Sequence, residues 1–140
     1  MNYTDIISKW KEKKIDSIEK LDQQLSNFRI TFAYNSGTIE NPQITYHATR
    51  EVFENGKVIN FCGDTQTIFE IENQKKCYNF LVPKIINKDP ITSDLIKKIH
   101  YQLMQGVYDE HRWQKGERPG HYKIHDYVIG KSNQGALPEE

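Results

Sequence analysis

Cysteine is scarce in this chain: 140 residues contain only Cys62 and Cys77. The two are too far apart for a Cys-x-x-Cys pair and too few for a disulfide framework, and neither sits in a metal-ligand cluster. A reducing cytoplasm is therefore the expected setting. An excess of either charge is also missing, since 19 Lys+Arg balance 19 Asp+Glu. Binding to nucleic acid or to anionic lipid draws on surplus cations that release counterions, so neither is expected as a partner. No apolar run approaches the roughly 18 residues that a membrane span needs. Phe80-Leu81-Val82 is followed at once by Pro83 and Lys84. The first ten residues carry Asp5 and no apolar h-region, which argues against a secretory signal. The glycine-rich phosphate loops Gly-x-Gly-x-x-Gly and Gly-x-x-x-x-Gly-Lys-Ser/Thr are absent, and so is the Gly-x-Ser-x-Gly nucleophile elbow.

What the chain does have is aromatic and helical. Eight Tyr, six Phe and two Trp argue against disorder, although the apolar fraction is only 36%. Ile18, Leu21, Leu25, Phe28 and Phe32 recur at helical steps, behind a capping box from Asp16 and Glu19. This pattern predicts a first long helix over about 17–34, ending before Gly37 and Pro42. The basic stretch from Trp10 to Lys14 is read as part of an N-terminal extension, residues 1–16, with a short helix of its own. A second helix is expected from Tyr46 to Glu54, with Thr45 as N-cap and Gly56 after its end. A third should run from Asp64 or Thr65 to about Leu81, with Pro83 ending or kinking it. A fourth starts at Thr92 or Ser93 and presents Leu95, Ile99, Leu103 and Val107. Residues 109–120 read as a polar loop, and the stretch from Tyr122 to Ile129 reads as a small β-hairpin. The class is mainly α.

Five histidines are the first candidates for chemistry: His47, His100, His111, His121 and His125. His100 lies beside the apolar face of the fourth helix, where a structural role is the better reading. His121 and His125 are four apart; on a strand that separates them by about 13 Å, too far to share one metal. No metal site is assigned. Ser36 and Glu40 are also four apart, so on a helix they share a face and can hydrogen-bond.

In its setting this last pair resembles a known motif. Phe32 through Asn41, then Ile44-Thr45-Tyr46, is similar to the inhibitory helix of Fic-domain (filamentation induced by cAMP) proteins. That motif, Ser/Thr-x-x-x-Glu-Gly/Asn, is met by Ser36, Glu40 and Asn41. Further likenesses follow in family order. Glu72-Asn73 resembles the acidic-Asn pair of the next core helix. Ile91-Thr92 with Ile96, Ile99-His100 and Leu103 resembles the helix that opens Leu-Thr and carries Ile-x-x-Leu-His-x-x-Leu. Gly120-His121-Tyr122-Lys123 and Val128-Ile129-Gly130 resemble the two ends of the β-hairpin flap, with Lys123 where the family has arginine. The resemblance spans about residues 28–138 and implies a Fic-like helical domain over 17–140.

For the complete family enzyme the resemblance implies AMP transfer from ATP, with Mg2+, to a hydroxyl of a target protein. Glu40 would be the inhibitory carboxylate that pairs with the arginine of the central motif. The flap residues, here His121, Tyr122, Lys123, Ile124, His125, Asp126, Tyr127, Val128 and Ile129, would dock the target as an added strand. The central motif itself, His-x-Phe-x-Asp/Glu-Gly-Asn-Gly/Lys-Arg, is absent: no histidine has Phe two residues on, and no Gly-Asn dipeptide occurs. No catalytic residue can be assigned. The chain reads as the N-terminal, apparently truncated part of an autoinhibited adenylyltransferase, or alternatively as a non-catalytic Fic-like binding or regulatory module. Uncovered apolar faces around Ile68, Leu95 and Ile99 would make an isolated fragment a homo-oligomer or swapped dimer.

Overall fold

A computed structural model of the chain describes residues 2–125. Among these residues six helices follow one another: α1 (Tyr3–Glu12), α2 (Ile18–Glu40), α3 (Tyr46–Asn55), α4 (Thr65–Asn87), α5 (Ser93–Leu103) and α6 (Glu110–Gln114). Among the described residues there is no strand. The mainly α class is thus observed, and no described helix is long and apolar enough to cross a membrane.

Helix α4 is the centre of the fold. It packs against α2, α3 and α5, while α2 also packs against α3. The core lies where α2, α3 and α4 meet: Ile30 and Ala33 from α2, Ile44 from the connection, Ala48, Val52 and Phe53 from α3, and Ile71 from α4. Each α3 boundary has a local chemical cause. The Thr45 hydroxyl accepts from Ala48 N at 3.1 Å, Gly56 takes the left-handed conformation (φ 74°) after the last turn, and Lys75 Nζ reaches the Val52 carbonyl at 2.8 Å. Helix α5 is closed similarly from α4: the buried Asn73 amide donates to the carbonyls of Leu103 (3.1 Å) and Gln105 (2.7 Å). Helix α1 starts with a capping box between Asn2 and Asp5 and buries none of its residues.

Several elements depart from expectation. Helix α2 does not stop at Tyr34 but runs through Gly37 to Glu40. Gly37 is buried, and a Cβ there would come within 2.8 Å of Ile44 Cδ1, so its glycine serves close packing and not termination. The N-cap of α2 is Ser17, accepting from Lys20 N at 3.3 Å, whereas Asp16 forms an ion pair with Lys20. The buried stripe of α2 is Leu21, Ile30, Ala33 and Gly37, and the expected core residues Phe28 and Phe32 stand 57% and 56% exposed.

Helix α4 passes through Pro83 and continues to Asn87. Pro83 is exposed, so its ring faces solvent and the carbonyl it leaves without a helical donor can be hydrated. Val107 lies beyond the end of α5, not on its face. The expected loop over 109–120 contains α6, started by Asp109 accepting from Arg112 N at 2.8 Å.

The expected β-hairpin is the largest correction. Its first half, His121 to His125, forms no strand, because Ile124 N (2.9 Å) and His125 N (3.2 Å) are donated to the Glu117 carboxylate, which withholds them from a ladder. Its second half, Asp126, Tyr127, Val128 and Ile129, lies outside the described residues.

Candidate functional site

The last turns of α2, the middle of α4 and the C-terminal end of α5 with the α5–α6 connection enclose a cleft of about 600 Å³. Ser36, Gly37 and Glu40 line one wall, Glu70 and Gln74 the floor, and His100, Leu103, Tyr108, Asp109 and Arg112 the other wall. Ser36 and Glu40, paired by sequence spacing, thus share this cleft. Among the described residues no side-chain hydrogen bond joins the two. Asn41, the third residue of the motif, plays a different part. As C-cap of α2 it donates to Thr67 Oγ1 at 3.0 Å and to Glu70 Oε2 at 2.7 Å, and its Oδ1 accepts from Gln43 N at 3.0 Å. The bonds to Thr67 and Glu70 tie the end of α2, next to Glu40, to α4.

On the opposite wall, His100 is half-buried and its Nδ1 accepts from Gly120 N at 2.8 Å. That bond places the ring proton of the neutral imidazole on Nε2. Burial first, and then the nearby Arg112 charge, hold the His100 pKa below the ordinary imidazole value. The ring stands edge-on to Tyr108, with centroids 6.3 Å apart. Burial also raises the Tyr108 hydroxyl pKa. His100 is thus half-buried and bonded to backbone, and it also lines the cleft.

The described residues of the expected docking segment lie on the outer side of α5. Tyr122 is exposed and carries Lys97 Nζ over its ring at 4.4 Å. Ile124 is exposed, and His125 Nδ1 lies 3.2 Å from the Glu117 carboxylate. His121 Nδ1 lies 3.2 Å from the Pro119 carbonyl, and Lys123 borders a smaller hollow with Lys97 and His100. The segment is not brought to Ser36 and Glu40, since α5 separates the two.

Asp109 and Arg112 were missed as cleft residues because 109–120 reads as loop, and Tyr108 because it falls between that loop and the expected face of the fourth helix. The available signal was Asp109-Glu110-His111-Arg112, an acidic N-cap and first turn ahead of basic residues. The cleft does not by itself fit ATP with Mg2+. Glu40, Glu70 and Asp109 set three carboxylates against Arg112 and a neutral His100, which repels a triphosphate. Among the described residues no three His, Cys, Asp or Glu side chains are grouped to hold a metal ion. No known family model, curated protein or solved structure matches this chain.

Proposed function

We propose that the chain is the inhibitory, N-terminal part of a Fic-type protein adenylyltransferase, in which Glu40 is the brake. On this reading α2 is the inhibitory helix, α4 and α5 are the first core helices, and the segment from His121 onward is where a target protein docks. The single observation that supports it is the joint exposure of Ser36 and Glu40 to one cleft from the end of a firmly anchored helix. A brake needs a carboxylate whose position does not relax, and Gly37 on Ile44 together with Asn41 on Glu70 and Thr67 supplies that rigidity. Glu40 itself is exposed at the cleft, open to an arginine from the motif that these residues lack. AMP transfer, ATP and Mg2+ belong to the complete enzyme; no step of that chemistry is assigned to residues of this chain.

The second reading, a non-catalytic Fic-like module that uses Glu40 in trans, draws on the acidic cleft lining and on the missing central motif. Expressing the whole source reading frame with ATP labelled on its α-phosphate separates the two. An inhibited enzyme transfers little label, and Glu40→Gly increases transfer several-fold to itself or to target. Labelling that Glu40→Gly leaves unchanged would remove Glu40 as the brake. Absence of labelling from both proteins would overturn the enzyme reading in favour of the module.

A further inference from the structure

The loop that follows α6 is held to the rest of the protein in an unusual way. Gly120 lies directly on α5: with φ +79°, a Cβ there would meet Tyr101 Cβ at 3.0 Å and the Lys97 carbonyl at 3.1 Å. Between Lys97 and Tyr101 on the same face comes His100, whose Nδ1 receives the Gly120 N–H at 2.8 Å. The far end of the loop is closed by Glu117, which is 4% exposed and accepts from the backbone N–H groups of both Ile124 and His125. Glu117 therefore folds the loop upon itself, while His100 registers it against α5. His100 also forms part of the wall of the Glu40 cleft, so one imidazole touches both features.

We propose that His100 is the positioning residue for the 117–125 loop, holding it against α5 only while the imidazole is neutral, so that protonation releases Gly120. A protonated ring has no lone pair at Nδ1, and the bond to Gly120 N–H is lost outright. Closeness to backbone matters here, because nothing larger than glycine fits the saddle and no side chain at 120 can replace the bond.

The surroundings set the direction of the switch. Arg112 from α6, with Lys97 on α5 itself and Lys123 from the loop, opposes a charge on His100. Glu40 from α2, Glu70 from α4 and Asp109 before α6 favour it from the cleft side, and Tyr108 contributes a neutral hydroxyl. His121 lies in the same hollow and His125 on Glu117, so the readout has to be specific to residue 120. Burial, and then Arg112, depress the His100 pKa, so the latch is closed at neutral pH and opens only as pH falls below the ordinary imidazole range. The latch stands independently of the adenylyltransferase reading. Only its consequence, control over how the docking segment is presented, rests on that reading.

The test is an amide-resolved NMR titration of the full chain from pH 8 to pH 5, with circular dichroism followed over the same range. In the wild type, the Gly120 amide proton moves upfield and its exchange protection falls in one titration step, while helix content stays constant. His100→Asn offers a carbonyl oxygen that cannot titrate at these pH values, and there the Gly120 protection becomes independent of pH. His100→Ala loses the protection at every pH. If Gly120 protection is pH-independent in the wild type, or titrates unchanged in His100→Asn, His100 does not position the loop. If the Asn variant does not fold, the wild-type titration alone decides: its absence at Gly120 overturns the proposal. Because no nucleotide or target enters this experiment, its failure leaves the Glu40 reading untouched, and the reverse also holds.

Discussion

Gly37 carries two opposing effects on one Cα atom. In the interior of a helix a glycine is about 1 kcal/mol less favourable than alanine, so Gly37→Ala would normally stabilise α2. Here the new methyl would lie 2.8 Å from Ile44 Cδ1, and Ile44 is itself 4% exposed and enclosed by the core. Overpacking of that kind costs about 1–3 kcal/mol, so the single substitution is expected to be neutral to destabilising. Ile44→Val removes the offending Cδ1 and leaves the rest of the side chain. In that background Gly37→Ala should recover the helix gain of about 1 kcal/mol, giving a favourable coupling in a double-mutant cycle measured by urea unfolding. Strict additivity would mean that the two side chains do not meet. The same residue shows where sequence reading runs short. Glycine near a helix end ordinarily signals termination, and only the partner at Ile44, seven residues on, shows that it marks contact.

At the scale of elements, legibility followed local chemistry. The bounds of α3 and the start of α5 were readable because Thr45, Gly56 and Thr92 act on their own neighbours. The length of α4 was not readable, since whether Pro83 breaks a helix depends on its facing solvent, a tertiary fact. The face of α2 was missed for a related reason: Phe28 and Phe32 are the larger apolar groups, but the side that meets α3 and α4 is the one with the small residues Ala33 and Gly37, which permit close approach. Helix α6 was hidden by the polar composition around it.

The tie between α2 and α4 makes a prediction about pH. Tyr78 donates to Asp22 at 2.8 Å, and burial, the hydrogen bond and the Asp22 charge push its pKa up to about 12. The neutral phenol is the form favoured in the fold. Its contribution is present below the unfolded value of about 10 and is lost as pH rises through the folded value. Wild type should therefore exceed Tyr78→Phe in stability at neutral pH, by about 0.5–1.5 kcal/mol for one hydrogen bond. That margin should narrow between about pH 10 and 12 when thermal unfolding of the two is compared. A margin that stays constant across that range would show that the Asp22 contact contributes nothing.

Over the described residues as a whole, the surface between α2, α4 and α5 continues from the Glu40 cleft into a second hollow that is apolar and open. Phe28 and Phe32, with ring centroids 5.6 Å apart, edge a groove of about 320 Å³ that also takes in Cys77, Leu81, Ile99 and Leu103. Ile99 belonged to the surface expected to be uncovered, while the paired phenylalanines were not part of that expectation. Two exposed rings beside an apolar groove form a continuous patch of the kind that promotes association when proteins are concentrated. At zero formal net charge, no long-range repulsion opposes such contact near neutral pH. Sedimentation velocity over a hundredfold range of concentration should show reversible self-association, insensitive to salt because its source is apolar. Phe32→Asp places a carboxylate on the rim without removing any core contact, since Phe32 is 56% exposed. It should shift the equilibrium towards monomer while leaving the thermal midpoint of dilute protein nearly unchanged. If wild type and Phe32→Asp associate equally, the contact lies elsewhere, and the groove between α2 and α5 is not its seat.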